Sequence, residues 1–343
     1  MPDLPPKFKT WESPKVASTK EVIKQYEKGF AGALYSPEKT EEFLDGCTYK
    51  SGEDVCRDFG YEETAANELV LPVLEVTKAY PGCLPGGGQV EGDCVSWGQR
   101  NANLLTMVLE AVLGLPDQVS GKVEGLPEVS ALAQKNGVLS TEAIYYYRST
   151  KPGHGWFCAE AAKVSQTKAG CVLRQDYGNV NLTQYSGSTV NYFNRKSVPN
   201  QLTDKFDDHI VREATVVNSM EAMRDLLARG FGIQSCGSES FSHTRDENGV
   251  CSRTRQGWAH SMGILACDDR PTTITIYGGR LYLVQNSWNE YMTGPRTIRG
   301  TQWEIPPGSF WARERDIKNR QFIAMAGVNG WARKKLPDYN PGW

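Results

Sequence analysis

Histidine is scarce in this chain, at four in 343 residues, and no two cysteines stand as a CxxC pair. The four histidines are scattered, so the ligand spacing of a zinc site is missing and no metal is expected. No apolar run is long enough to span a bilayer. The opening residues, MPDLPPKFKTWESPK, carry no apolar stretch behind their charges, so they do not read as a secretory signal. An excess of one charge is also lacking: 38 Lys+Arg against 40 Asp+Glu leave a formal net charge of −2. That balance gives no long-range field to draw in nucleic acid or an anionic membrane. Gly86, Gly87 and Gly88 precede no lysine, so a phosphate-cradling loop is not expected. These absences exclude nucleic-acid and membrane partners and a cofactor, and point to an intracellular globular chain.

What is present is core material and thiol. The hydrophobic fraction is 39% and the aromatic fraction 10%, ordinary for a packed protein, and the length suits one large domain or two small ones. Nine cysteines are many for a protein with no export signal. One reserved for chemistry leaves an even number, for which about 105 disulfide connectivities exist. The compartment argues for mostly reduced thiols. Cys158 and Cys171 bracket an expected helix and read as core residues or as a pair. Cys236 and Cys251 flank a polar loop that a bond between them would staple.

Along the chain, residues 1–77 differ from the rest. Prolines cluster at Pro2, Pro5, Pro6 and Pro14, and a charged stretch with room for one or two short helices follows. The clearest helix runs from Cys94 to Leu113. Leu105, Val108, Leu109 and Val112 recur at helical spacing, Asp93 is placed to cap the start, and Gly114 with Pro116 stops the end. A second helix fits 219–229, with Asn218 and Glu221 spaced as a capping box and Gly230 as the stop. Residues 231–236 read as a strand. Residues 272–277 alternate, and Gly278-Gly279 reads as a hairpin turn into a strand over 281–284. His260 opens a further apolar strand, SMGILAC. Helices first and antiparallel strands after predict an α+β fold with two lobes.

Three positions could combine into chemistry. Cys94 sits in the first turn of the long helix, where the partial positive charge of the helix end favours thiolate over thiol. A thiolate is a competent nucleophile for acyl transfer. His260, at the edge of an apolar strand, can serve as base. In the segment LYLVQNSWNEY, Asn286 follows a strand and can hold an imidazole in one tautomer, while Trp288 excludes water from that bond. The other histidines are weaker candidates. His154 lies between glycines, His209 follows two aspartates, and His243 lies in a polar loop without an orienting partner.

Gln89, then Cys94-Val-Ser-Trp97, then His260, then Asn286-Ser-Trp288 resembles the papain family of cysteine peptidases, in that family's chain order. The resemblance extends over about residues 78–330, through GVLSTEAIYYY, SMEAMRDLLARGFGIQS, HSMGILACDD and GSFWARERDI, and some of it is of the kind found in bacterial and phage members. It implies a helical lobe (78–205) and a barrel-like β lobe (206–335) meeting at a cleft, a short tail (336–343), and no cofactor. It implies Cys94 as nucleophile, His260 as base, Asn286 as orienter, and an oxyanion hole from the Cys94 backbone N–H and the Gln89 side chain, with Trp97 and Trp288 in support. The sequence departs from the pattern in four places. The glutamine stands one position late, with Gly88 in its usual place; Glu91 replaces a disulfide cysteine; Ser261 follows the histidine; and Asn289-Glu-Tyr-Met replaces a glycine-rich continuation.

The expected function is a cysteine endopeptidase acting on peptides or proteins. The alternative is a structural protein that reuses the fold in a virion or large complex, with assembly partners on the N-terminal extension. The extension itself reads as an arm lying away from the cleft rather than a propeptide threaded through it, because its proline-rich start suits an extended strap.

Overall fold

The computed structural model describes residues 9–10, 20–21, 23–24, 30–62, 66–84, 88–115, 125–150, 155–178, 180–192, 210–327, 335–336 and 339. The four N-terminal prolines, His154 and His209 lie outside the described residues. The class is α+β. Among the described residues, helices dominate up to residue 192 and strands dominate from 213 onward. None of the described helices is long and apolar enough to cross a membrane.

The Cys94–Leu113 helix is at the centre, and every residue from Cys94 to Glu110 is buried. Gly114, at φ 61°, closes it by donating its N–H back to the last turn. Asp93 occupies the N-cap position but caps nothing. Its carboxylate instead accepts from the Tyr185 hydroxyl at 3.2 and 3.1 Å.

Eleven short and long strands complete the described structure: β1 (Lys9–Thr10), β2 (Phe30–Ala31), β3 (Ala33–Leu34), β4 (Leu69–Val70), β5 (Trp156–Phe157), β6 (Glu213–Val217), β7 (Gly232–Phe241), β8 (Arg253–Asp268), β9 (Leu281–Gln285), β10 (Ser309–Arg313) and β11 (Gln321–Ala326). The main sheet runs β1-β2-β8-β7-β11-β6, with β9 and β4 on β8 and β10 on β9; β3 and β5 form a separate parallel pair. The path does not return on itself among the described strands, so the sheet is open where a barrel-like lobe was expected.

The central helix touches this sheet at glycines. A Cβ on Gly98 would strike Ser261 Oγ and come within 3.0 Å of the Met262 nitrogen. A Cβ on Gly232 would overlap the Ala102 carbonyl, and one on Gly263 would stand 2.8 Å from Asn101 Cβ. Thr106 pins the contact, accepting the Gly232 N–H at 2.8 Å and donating to the Met325 carbonyl at 2.9 Å.

Four expectations change. Residues 271–277 are a helix, Pro271–Tyr277, not a strand: Pro271 opens it, Gly278 at φ 71° closes it, and these end signals outweigh the alternating Thr and Ile. The helix at 219–229 is Met220–Ala228, and its cap is Ser219, whose Oγ accepts the Ala222 N–H at 3.1 Å; the Asn218 N–H goes to Glu53. His260 does not open its strand but lies in the middle of β8. The one disulfide joins Cys158, at the start of the Cys158–Thr167 helix, to Cys236 on β7, and the other seven cysteines are reduced. Cys171 and Cys251 are thus the wrong partners: contact across the two parts of the fold, not nearness in sequence, brings the bonded pair together.

The extension is not set apart by packing. Helices Pro37–Asp45 and Gly52–Phe59 bury Phe43, Val55 and Cys56 in the common core, and β4 pairs with β8. At the other end, Leu336 donates its N–H to Ala228 and Tyr339 its hydroxyl to Glu75.

Replacing Gly232 by alanine places a methyl on the Ala102 carbonyl, so it should destabilise by about 1–3 kcal/mol, the usual cost of overpacking. The urea midpoint should fall, while Gly125→Ala, where nothing stands within reach of a Cβ, should leave it in place. An unchanged midpoint for Gly232→Ala would contradict the close helix–sheet contact.

Candidate active site

Each side chain of the site is delivered by an element already described. His260 comes from the middle of β8, and Asn286 directly follows β9. Where β8 and β9 run together they are paired from Gly263 to Asp268. His260 Nε2 and Asn286 Oδ1 are 2.8 Å apart. The same Oδ1 accepts the Ser287 backbone N–H at 2.7 Å. A backbone N–H can only donate, so the amide must present its oxygen here, and the imidazole nitrogen facing it must carry the proton. Nε2 is therefore protonated in the neutral ring, and Nδ1 holds the lone pair.

Trp288 lies almost parallel to the His260 ring, with centroids 4.1 Å apart and an interplanar angle of 26°. Trp258 packs edge-on to Trp288 at 5.1 Å and Tyr291 edge-on to Trp258 at 5.1 Å, so an aromatic wall covers the His–Asn bond. Gln89 is tied to the same segment. Its Oε1 accepts from Ser287 Oγ at 2.7 Å and from Trp288 Nε1 at 2.9 Å. Both are donors, which turns the amide nitrogen the other way, where one of its protons goes to the Glu91 carbonyl at 2.6 Å. The Gly88 and Gln89 N–H groups both point to the Ser287 carbonyl. The glutamine is thus docked on the Asn-Ser-Trp segment despite its one-residue offset in sequence.

Cys94 begins the central helix. The next residue's carbonyl, Val95 O, accepts from Gln234 Nε2 at 3.0 Å, and Gln234 also bonds Ser261 Oγ at 3.1 Å. The first turn of the helix is in this way tied to the residue after His260. Trp97, one turn in, packs edge-on against Tyr185 at 4.9 Å and under the Arg100 guanidinium. Tyr185, Gln234 and Arg320 were missed by sequence reasoning, and Ser261 was noted only as a departure from the family pattern. Only Arg320 carried a signal, a charge set directly before an apolar strand (RQFIAMA).

His243 is not in this group. Its ring packs edge-on to Tyr291 at 5.8 Å, on the side of the aromatic wall.

The described part of the N-terminal extension meets the site. β2 runs parallel to β8 with Ala31 opposite Ala259, the neighbour of His260, and the Gly32 N–H donates to the Ala259 carbonyl at 2.7 Å. The Gly32 carbonyl accepts the Trp156 N–H at 3.0 Å, where β3 takes up β5. Gly32 therefore bridges the helical and sheet parts of the fold beside His260. An arm lying away from the site does not describe residues 30–34. Cys94 and His260 both have 0% exposure.

Burial dominates the electrostatics. It pushes the His260 pKa down to about 3, against the Asn286 hydrogen bond and with the help of the Arg320 cation. The thiols of Cys47, Cys56, Cys83, Cys171 and Cys251 are pushed up to about 12, each chiefly by burial.

No protein-family model matches this chain, and no curated protein matches it. Among solved structures it is similar to xylellain, a cysteine protease from Xylella fastidiosa, at 14% identity and a TM-score of 0.43, covering 94% of this chain and 98% of that one. It is also similar to procathepsin B S9 from Trypanosoma congolense, at 11% identity and a TM-score of 0.44 over 91% of each chain. A recombinant stem bromelain precursor aligns at 11% identity and a TM-score of 0.38, over 89% of this chain and 96% of that one.

A histidine depressed in the folded state binds fewer protons than the unfolded one between the two pKa values. Stability is therefore lost as pH falls from the unfolded value of about 6.5 toward the folded value. The His260 ring signal in NMR should accordingly stay flat from about pH 8 to about pH 5, while an unfolded or exposed histidine titrates near 6.5. A His260 midpoint near 6.5 would contradict the dry, closed site.

Proposed function

We propose that this chain is a cysteine peptidase working through Cys94, His260 and Asn286, and that the conformation described is its closed form. The observation that carries the reading is the tautomer of His260. With Nε2–H committed to Asn286, the Nδ1 lone pair is the one that can take a proton from a thiol.

The reaction follows from those roles. Nδ1 accepts the Cys94 Sγ proton, and the thiolate, favoured by its place at the start of a long helix, attacks the peptide carbonyl carbon. The oxyanion is met by the Cys94 backbone N–H and by the second Nε2 proton of Gln89, the first being held by Glu91. His260 returns its proton to the leaving amine as the C–N bond breaks, leaving a thioester on Cys94. Water, deprotonated by His260, then attacks the thioester; the C–S bond breaks, the acyl group leaves as the carboxylic acid, and His260 returns the proton to the Cys94 sulfur. Trp288 keeps solvent from the His–Asn bond through both steps.

The substrate class is an extended peptide. Such a chain docks by adding backbone hydrogen bonds to a strand edge, and the Ala259 carbonyl and Trp156 N–H, which Gly32 now occupies, are the groups it would use. The segment at 30–34 therefore competes with substrate and also dries the site, holding His260 neutral. Proteolysis or displacement of that segment would open the enzyme. No observation specifically favours the alternative of a structural protein of a virion.

Gly32→Pro removes the N–H that reaches Ala259 and leaves the catalytic residues alone. One hydrogen bond is worth up to about 1.4 kcal/mol, or about tenfold in a population. Hydrolysis of a fluorogenic peptide library by the full chain should rise by about that factor in Gly32→Pro. It should vanish when Cys94→Ala is added. A Gly32→Pro chain that is folded yet cleaves nothing would sink the reading, as would activity that survives Cys94→Ala.

A further inference from the structure

One buried charge next to the site takes no part in the steps above. Arg320 precedes β11, and its side chain has 0% exposure. Its guanidinium donates from Nε to Ser235 Oγ at 2.8 Å, from Nη1 to the Glu239 carbonyl at 3.1 Å and from Nη2 to the His260 carbonyl at 2.6 Å. Among the described residues, the one carboxylate on it is Glu239, at 3.5 Å. The strand pairing makes room for this group. β7 and β8 are paired at Gly237 and His260, and the register shifts between Gly237 and Glu239. A Cβ on Gly237 would stand 2.6 Å from Glu239 Oε2 and 2.7 Å from Arg320 Cγ, so only glycine leaves space for both side chains. The irregularity in the ladder thus falls beside His260, and Arg320 holds that histidine's carbonyl there.

Resting on the peptidase reading, we infer that Arg320 is a positioning residue of the site: through its bond to the His260 carbonyl it fixes the base, and as a buried cation held on the very residue whose ring serves Cys94 it stabilises the thiolate that the base creates. Two features favour this over a merely structural arginine. A buried cation is costly unless paired, and this one has a single carboxylate at the long end of ion-pair distance. Burial accordingly pushes its pKa down to about 10, while Glu239 and Cys94 oppose that shift. An anion forming on the Cys94 sulfur would complete the charge balance around it.

The other charges near the nucleophile do not do this. Asp93, beside Cys94 in the chain, is turned to the Tyr185 hydroxyl, and burial with the neighbouring Glu91 and Glu142 carboxylates pushes its pKa well up. Arg100, two turns along the central helix, gives its guanidinium to the Gly137 carbonyl and to the face of Trp97. On the β8 side of the site the charged or titratable groups are thus His260, Arg320 from the turn before β11, bonded to the His260 carbonyl, and Glu239 from β7, bonded to Arg320.

The test is the pH profile of Cys94 alkylation by iodoacetamide in the full chain, with the label located by peptide mapping. The midpoint of that profile reports the thiolate, and because the N-terminal segment is the same in wild type and variants, a difference in midpoint between them reports the charge that was changed. Arg320→Met should raise the midpoint by about one unit, the size expected when an opposite charge is removed from beside an acid. Glu239→Gln, which leaves the cation uncompensated, should move it the opposite way. A structural arginine would lower the melting temperature and leave both midpoints on the wild-type curve, and that result would overturn the proposal. Should Arg320→Met fail to fold, the Glu239→Gln profile decides alone: a downward shift supports the role and an unshifted or raised midpoint refutes it. A Cys94 that stays unlabelled across the range would remove the peptidase reading itself, and this proposal with it.

Discussion

The central helix lies against the sheet at three places, Gly98, Gly232 and Gly263, where one of the two facing residues has no side chain, and the placement of Cys94 depends on that contact. A helix on a sheet is ordinarily held off by its side chains. Here Gly98 brings the backbone of the first turns down onto Ser261 and Met262, so the residue that opens the helix is carried toward the neighbour of Ser261, which is His260. Gln234 then ties the Val95 carbonyl to Ser261, and Thr106 fixes the far end on Gly232 and Met325. Cys94 and His260 come from segments more than 160 residues apart, and rigid packing is the means by which a fold holds such distant groups in place.

Around that contact the site is dry and heavily bonded. Asn286 Oδ1 serves the Ser287 N–H and the His260 ring at once, and Gln89 Oε1 serves Ser287 and Trp288, so His260, Asn286 and Gln89 are one connected network. A connected buried network of this kind restricts the geometry its members can take. Its cost is a neutral His260, because burial pushes the ring's pKa down to about 3. Gly32 bridges the helical and sheet parts beside it through backbone hydrogen bonds to Ala259 and Trp156. The disulfide from Cys158 to Cys236 spans the same two parts, from the residue after β5 to the β7 residue paired with Ser261, so it keeps them together whether or not the segment is in place.

Much of this was legible from residues alone. The central helix could be read because its apolar periodicity is long and Gly114 ends it, and the pairing of Asn286 with His260 could be read because Asn-Ser-Trp behind a strand has little other use. The failures have specific causes. Residues 271–277 alternate like a strand, but Pro271 and Gly278 are end signals for a helix and they prevail. The capping residue at 219 was displaced by one because both Asn218 and Ser219 suit the role, and only packing against Glu53 separates them. The disulfide was illegible because its halves lie in different elements, 78 residues apart. The closing segment was missed because its strands are two residues long, too short to carry a period, and because backbone groups of Gly32, not a side chain, make the bridge. Arg320 could be seen only as a charge before an apolar run, since its partners come from β7 and β8.

The central claim is that Cys94 carries the acyl group during turnover. The most direct measurement is acid quenching of the full chain while it hydrolyses a peptide ester, followed by intact mass analysis and peptide mapping. The account predicts an added acyl mass on the peptide containing Cys94, lost on longer incubation and absent from Cys94→Ala. An acyl mass on another residue, or hydrolysis with no acylated species and no dependence on Cys94, would contradict it.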